Sequence, residues 1–180
     1  AGTIEVEVMN ARATEFRVKM GKASFISEEI PVTGEKREII NETFTFNEKE
    51  YKATCLTVGN PHCIIFADKV SKEAVKELGP YVENADEFPN RMNLQLCRLI
   101  DRGNLDIEIW ERGSGYTKAS GTGSCAAAAA AYRLGLVEPR INVNQPGGMI
   151  QINIKEDGTI YMTGTVGFIA DISIAQSFFS

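Results

Sequence analysis

The sequence lacks the features that mark a nucleic-acid-binding, membrane-spanning or zinc-binding protein. Its 180 residues carry a formal net charge of −5 and no long run of Lys and Arg, whereas phosphate binding needs clustered cations. It contains no apolar stretch of about 18 residues, the length that a membrane-spanning helix requires. One His and four Cys without C-x-x-C spacing argue against a zinc site. We therefore expect no nucleic-acid, membrane or metal partner.

The remaining composition is typical of a cytoplasmic globular protein. Hydrophobic residues make up 43% of the chain and charged residues 24%, and both values are ordinary. A chain of this length buries about two-thirds of its unfolded surface, so it can fold without a disulfide or a metal. We expect reduced and mostly buried thiols at four positions: Cys55, Cys63, Cys97 and Cys125.

Hydrophobic alternation predicts an α+β fold in which most strands are antiparallel. Alternation with a period of two is typical of strands that have one face in the core. Strands are predicted at residues 3–9, 13–20, 43–51 (a hairpin), 63–66, 93–100, 105–110, 141–144, 149–155 and 159–163, with a further strand at 166–175. The turn at residues 101–104 makes the clearest hairpin in the chain.

Two helices are predicted among these strands. Ser71 is a good N-cap for the first and shorter helix, which is expected to end at Gly79-Pro80. The second helix runs from Gly123 to Leu134 and contains six consecutive alanines at 126–131. Alanine has the highest helix propensity, and its small side chain lets strands pack closely. We therefore expect antiparallel strands to wrap around this alanine-rich central helix.

The segment Ala119-Ser120-Gly121-Thr122-Gly123-Ser124-Cys125, called the glycine turn below, predicts a small-ligand site where the alanine helix begins. The first N–H groups of a helix have no partner within it, and the helix dipole makes this end positive. The glycines leave the backbone open to a ligand, and a carboxylate or phosphate fits such an end. The alternative is a helix end that Ser120 or Thr122 caps and that binds nothing.

An acid and a base stand next to each other before this turn. Glu111 and Arg112 end a predicted strand, and a loop with Gly113 and Gly115 follows them. Glu can bind an ammonium group and Arg a carboxylate, so the pair matches the two charged groups of an amino acid. The alternative is a solvated surface pair.

Together these segments resemble the diaminopimelate epimerase family. The resemblance rests on motifs whose order and spacing match over essentially the whole chain. They are Gly59-Asn60-Pro61-His62, Met92-Asn93, Glu111-Arg112-Gly113-Ser114-Gly115, the glycine turn and Pro146-Gly147-Gly148.

The resemblance implies an enzyme without a cofactor that inverts the α-carbon of an amino acid with two thiols, one removing the proton and the other returning it on the opposite face. It also implies two similar domains, each a central helix wrapped by antiparallel strands, with the substrate in the cleft between them. Gly121 and Thr122 would bind the α-carboxylate of the substrate, and His62 is a further candidate site residue. Four side chains would hold the substrate's polar ends: Asn60, Asn93, Glu111 and Arg112.

Two departures from the family pattern change what can be expected. Ser120 occupies the position of the family's catalytic cysteine, and a serine hydroxyl transfers protons poorly unless a base helps it. Cys125 lies inside the predicted helix, so we do not expect it to substitute. The Cys-Gly-Asn-Gly motif that carries the family's other thiol is absent from this sequence.

These departures predict that the chain is the C-terminal domain of a larger protein. Residues 1–20 would belong to, or link from, an N-terminal domain, and residues 21–165 would form the epimerase-like domain. The strand predicted within residues 166–180 would return to the N-terminal domain, which completes the cleft. A homodimer is a further expectation.

Three functions are compatible with the sequence. The first is an amino-acid epimerase or racemase that converts LL- to meso-diaminopimelate, a precursor of lysine and peptidoglycan, by two-base transfer of the α-proton. The second is an amino-acid-binding protein without catalysis, because Ser120 replaces the thiol. The third is a proton-shift isomerase with Glu111 as its carboxylate base. We favour the first function.

Overall fold

The computed structural model describes residues 3–179. Its helices are α1 (Lys72–Glu83) and α2 (Gly121–Arg133), with a 3-10 helix at Gln176–Phe179. Its strands are β1 (Val6–Val8), β2 (Glu15–Lys22), β3 (Glu42–Phe46), β4 (Lys49–Thr57), β5 (Pro61–Phe66), β6 (Asn93–Asp101), β7 (Asn104–Glu111), β8 (Gly115–Thr117), β9 (Arg140–Gln145), β10 (Gly148–Ile154) and β11 (Thr159–Thr165).

The described strands form a single sheet of eleven strands. Its order is β1-β2-β11-β10-β9-β7-β6-β5-β4-β3, and β8 pairs with β7 beside this path. Neighbouring strands are antiparallel except for β5 with β6 and β7 with β9, which are parallel. The expected α+β class is confirmed at the level of a mixed fold with one large sheet and two helices.

Helix α2 packs against seven strands of the sheet. The strands that contact it are β4 to β7 and β9 to β11. Its residues from Gly123 to Ala131 are all buried, and six of them are the alanines that the sequence places in a row. Because a methyl group adds little thickness, strands can approach such a helix from several sides. A core of leucine, isoleucine and valine side chains from these strands surrounds the helix.

Helix α1 contacts β3, β6, β7 and β8 and contributes to a second core. Val75, Leu78 and Val82 of the helix pack with aromatic residues of β3 in this core. Ser71 caps the helix as expected, because its side-chain oxygen accepts a hydrogen bond from the Ala74 N–H.

The prediction that α1 ends at Gly79-Pro80 is wrong, because the helix continues through both residues to Glu83. The packing explains why these residues are tolerated inside it. A β-carbon at position 79 would overlap the indole ring of Trp110, so the glycine permits the close approach of β7. The last turn that Pro80 opens also buries Val82 and Glu83. Tertiary contacts thus compensate for the hydrogen bond that Pro80 cannot donate.

The other boundaries differ from expectation in smaller ways. Helix α2 begins at Gly121 rather than Gly123, because Ser120 and not a later residue is the N-cap. In the segment predicted as the first strand, residues 3–9, only Val6–Val8 has strand pairing. Ala1, Gly2 and Ser180, which belong to the predicted terminal segments, lie outside the described residues.

The further strand predicted at residues 166–175 is wrong, because this segment has no regular secondary structure. A strand needs a neighbour for its backbone N–H and C=O groups. The Val166 N–H bonds to the Thr14 carbonyl, but β11 is already flanked by β2 and β10. The segment therefore leaves the sheet, and apolar side chains such as Phe168 and Ile169 are exposed on it.

The close packing of α2 makes a testable prediction. We expect Ala128→Leu to lower the free energy of unfolding by about 1–3 kcal/mol, because the added side chain must displace strands around a fully buried position. Urea denaturation measures this loss. The same substitution at the exposed Ala170 is the matched control and should change stability little. Equal effects at both positions would contradict the enclosed position of α2.

Candidate active site

The glycine turn forms the first turn of α2, and Ser120 organises it. The Ser120 hydroxyl oxygen accepts a hydrogen bond from the Gly123 N–H at 3.2 Å, and the Ser120 carbonyl accepts one from the Ser124 hydroxyl at 2.9 Å. The first of these contacts satisfies an N–H group that the start of a helix leaves without an intrahelical partner. The N–H groups of Gly121 and Thr122 lead the helix, where the dipole is positive. This end can accept an anionic ligand.

Ser120 also contacts a carboxylate. Its hydroxyl donates a hydrogen bond to Glu111 Oε1 at 2.9 Å. Glu111 is the last residue of β7, and the loop through β8 brings the chain back to the glycine turn. The tertiary fold thus places a carboxylate at hydrogen-bond distance from the serine hydroxyl.

Gln145 at the end of β9 fixes the backbone of the glycine turn, and the sequence analysis missed it. Its side-chain oxygen accepts hydrogen bonds from the Ser120 N–H at 2.9 Å and the Ser124 hydroxyl at 3.4 Å. Two residues later, the Gly147 N–H donates to the Lys118 carbonyl at 2.7 Å. A β-carbon at position 147 would lie 2.9 Å from that carbonyl oxygen, so only glycine fits. The available signal was the motif Pro146-Gly147-Gly148 beside Gln145.

Asn60 in the turn between β4 and β5, and His62 at the start of β5, approach the same helix end. His62 Nε2 lies 3.0 Å from Asn60 Oδ1, and the Asn60 amide nitrogen donates to the Thr122 hydroxyl oxygen at 3.4 Å. His62 is almost completely buried, and burial lowers its pKa to about 4; the nearby Arg112 cation also lowers this pKa. The ring is therefore neutral near pH 7.

Asn93 and Arg112 make intramolecular contacts beside this cluster. The buried Asn93 amide donates to the Pro61 carbonyl at 2.6 Å and accepts from the Arg112 N–H at 3.0 Å. The Arg112 guanidinium donates to the Asn90 carbonyl at 2.7 Å. Asn93 thus ties the start of β5 to the end of β7, and its expected contact with a substrate stays a prediction.

Glu83 on α1 holds the loop after Arg112, a role that no sequence pattern indicated. Its carboxylate accepts hydrogen bonds from the Trp110 indole N–H at 2.7 Å, the Gly113 N–H at 2.8 Å and the Arg91 guanidinium at 2.9 Å. A carboxylate is the only side chain of this size that accepts from several donors and donates to none.

An open cavity of about 590 Å³ adjoins the helix end. Asn60 and Thr122 line it, together with Val58 and parts of β2. Its volume lies within the range of small-molecule sites, and Thr122 is the residue of the glycine turn that lines it.

All four cysteines are free and buried, which confirms the expectation for their state. Burial raises the pKa of Cys125 to about 12, so this thiol stays protonated at neutral pH. The part of the chain that the structure describes holds no group of three His, Cys, Asp or Glu side chains suited to a metal. None of the helices described is long and apolar enough to cross a membrane.

The architecture is similar to that of two solved structures, one named as a racemase and one as an epimerase. A probable proline racemase from Agrobacterium radiobacter K84 superposes with a TM-score of 0.65 at 11% identity, over 96% of this chain and 57% of that chain. A hydroxyproline epimerase from Agrobacterium vitis gives a TM-score of 0.58 at 12% identity, over 90% and 53%. Similarity at such low identity establishes the architecture alone.

The sequence comparisons identify the family. The family model described as diaminopimelate epimerase matches residues 54–169. Diaminopimelate epimerase 2 of Nostoc sp. is 44% identical over 179 residues, which cover 99% of this chain and 62% of the relative. Diaminopimelate epimerase of Bacillus cytotoxicus is 38% identical over 165 residues, covering 90% and 57%. The chain belongs to the diaminopimelate epimerase family and spans roughly three-fifths of the length of these relatives.

The buried His62 predicts a pH dependence of stability. Its folded pKa of about 4 lies below the ordinary value of 6.5, so the unfolded chain binds a proton first as the pH falls. The free energy of unfolding should decrease by about 3 kcal/mol between pH 6.5 and pH 4. Urea denaturation across this range measures the slope. His62→Gln should flatten it, because the chain has no other histidine; an unchanged slope would contradict the assignment.

The contacts of Glu83 predict that its charge stabilises the loop. We expect Glu83→Gln to lower the free energy of unfolding by about 1–3 kcal/mol, because the amide nitrogen would face an N–H donor. Thermal or urea denaturation measures this change. Glu77→Gln removes the same charge from an exposed position of α1 and should have little effect.

Proposed function

We propose that this chain supplies the carboxylate-binding side and one proton-transfer group of a diaminopimelate epimerase. The observation that carries the proposal is the hydrogen bond from Ser120 to Glu111, at the start of a helix whose residue Thr122 lines an open cavity. Family membership supports the reaction class, because curated relatives of this name are 36–44% identical. The enzyme would be an isomerase that works on a free amino acid without a cofactor.

The α-carboxylate of the substrate would bind at the start of α2. The N–H groups of Gly121 and Thr122 and the Thr122 hydroxyl would donate to its two oxygens, with Asn60 supporting the hydroxyl. As the α-proton leaves, negative charge moves onto these oxygens. Fixed N–H donors and the helix dipole stabilise this charge more strongly than they stabilise the substrate itself, which lowers the barrier.

Ser120 and Glu111 would act together as one acid–base group. When the α-carbon loses its proton, the Ser120 oxygen accepts it while the Ser120 hydroxyl proton moves to Glu111 across the 2.9 Å hydrogen bond. The serine is unchanged at the end of this step, and the proton resides on the carboxylate. The reverse sequence returns a proton to the same face of the carbon.

Inversion also requires a proton-transfer group on the opposite face of the substrate. We propose that this group belongs to a separate domain. The same domain would cover residues 166–179, where large apolar side chains are exposed. Residues 1–20 and 166–180 would connect to that domain, and residues 21–165 would carry the site described above. Arg112 and Asn93 would contact the distal end of the substrate after Arg112 leaves the Asn90 carbonyl.

One observation favours a second function, binding of an amino acid without catalysis. The Ser120 hydroxyl caps α2 through the Gly123 N–H, and this contact explains the serine without any chemistry. A direct base role for Glu111 is the remaining possibility, since its carboxylate stands beside the same helix end.

Exchange of the α-proton in deuterated water separates these functions. The full-length protein is incubated with LL-diaminopimelate, and mass spectrometry and chiral chromatography follow deuterium uptake and inversion. We expect both to occur in the wild type and to fall at least about a hundredfold in Glu111→Gln, which removes the proton acceptor. Ser120→Cys should retain or increase the rate, because a thiol is the more acidic group.

Ser120→Ala distinguishes the relay from a direct base. Loss of exchange in this variant supports the relay, whereas exchange that persists in Ser120→Ala and disappears in Glu111→Gln assigns the base role to Glu111 alone. If wild type and Ser120→Cys both bind diaminopimelate and neither exchanges the α-proton, the catalytic proposal is overturned in favour of binding. Glu108→Gln, on the same strand, is the matched control.

A further inference from the structure

Gln95 is completely buried next to His62, and only one of the two polar atoms of its amide has a hydrogen-bond partner. Gln95 Oε1 lies 2.9 Å from His62 Nδ1, while Gln95 Nε2 has no hydrogen-bond partner. Gln95 follows Asn93 by two residues on β6, so both side chains are on the sheet face that meets α2. Its amide nitrogen lies 3.0 Å from the position that a β-carbon of Gly123 would take.

The ring of His62 lies between two amide side chains. Gln95 faces Nδ1 at 2.9 Å and Asn60 faces Nε2 at 3.0 Å, each through the oxygen of its amide. A neutral imidazole has one N–H donor and one acceptor nitrogen, so it cannot donate to two oxygens. The burial of His62 keeps the ring neutral at pH 7. One amide must therefore present its NH₂ group to the ring, and the hydrogen-bond network decides which.

Two physical arguments select Gln95. If Asn60 were the donor, both N–H groups of Gln95 would stay buried without partners, and orphaned N–H groups are rarer in proteins than orphaned carbonyls. The outer end of the Gln95 amide also faces the first turn of α2 near Gly123. The positive dipole of this helix end favours an amide oxygen there over an NH₂ group.

We propose that Gln95 is a positioning residue that sets the histidine tautomer and, through it, the direction of a hydrogen-bond chain to Thr122. Gln95 Nε2 donates to His62 Nδ1, His62 Nε2 donates to Asn60 Oδ1, and Asn60 Nδ2 donates to the Thr122 oxygen. Hydrogen bonds that run in one direction polarise and strengthen one another.

This series of hydrogen bonds determines the direction in which the Thr122 hydroxyl proton points. Because its oxygen accepts from Asn60, the hydroxyl proton is free to be donated into the cavity that Thr122 and Asn60 line. The opposite direction would turn this proton back towards Asn60. A hydroxyl that already points into the cavity can donate to a carboxylate oxygen without reorienting. This consequence for carboxylate binding rests on the proposed function.

The tautomer can be read directly, because His62 is the only histidine in the chain. Long-range ¹H–¹⁵N correlation spectra of the ¹⁵N-labelled chain at pH 7, without any ligand, report which ring nitrogen carries the proton. We expect a protonated Nε2 and an unprotonated Nδ1. A protonated Nδ1, alone or together with Nε2, overturns the proposal. The proposed epimerase activity is not measured in this experiment, so the two can fail separately.

Gln95→Glu tests the cause of the tautomer. A carboxylate accepts but does not donate, so Nδ1 should become protonated in this variant. Gln176→Glu adds the same charge at an exposed position and should leave the spectrum of His62 unchanged. A wild-type tautomer that persists in folded Gln95→Glu overturns the role of Gln95. If Gln95→Glu does not fold, Gln95→Met removes the donor, and loss of the single Nε2-protonated form is then expected.

Discussion

The enclosure of α2 by the sheet is the constraint on which the site depends. A helix of alanines has no long side chains that could adjust, so its backbone position is fixed by the strands packed against it. Its first turn is therefore held at one place, where the ends of β4, β7 and β9 meet. Glu111, Asn60 and Gln145 each stand at or beside one of these strand ends and reach the helix end from different directions.

Side-chain amides do much of the positioning around this helix end. An amide both donates and accepts, so a buried one can join two backbone segments that no regular hydrogen-bond ladder connects. Asn93 joins the starts of β5 and β6 to Arg112, and Gln145 joins β9 to Ser120 and Ser124. Farther from the helix end, the Glu83 carboxylate accepts hydrogen bonds from three donors in and near the loop after Arg112. The glycine turn and the loop after Arg112 are thus held by hydrogen bonds from Gln145, Asn93 and Glu83.

A hydroxyl at the start of a helix differs from a thiol in the chemistry that it can perform by itself. A thiolate is stabilised by a positive helix end, whereas a serine hydroxyl stays protonated and needs a base within hydrogen-bond distance. Glu111 stands at that distance from Ser120. The same hydroxyl also caps the helix, so the residue has a structural role that does not depend on catalysis. Cys125, five residues along, is kept inert by burial.

The sequence by itself determined the α+β class, the two helices, most strands and the glycine turn, because periodicity and propensity act over a few neighbouring residues. It failed where distant contacts override these signals: α1 continues through Gly79-Pro80 because β7 packs against it, and residues 166–175 form no strand because no neighbour pairs with them. Only the tertiary structure decided that Glu111 meets Ser120 and that His62 meets Gln95, 33 residues away. Such pairs follow from strand order and register, which depend on the packing of the whole sheet around α2.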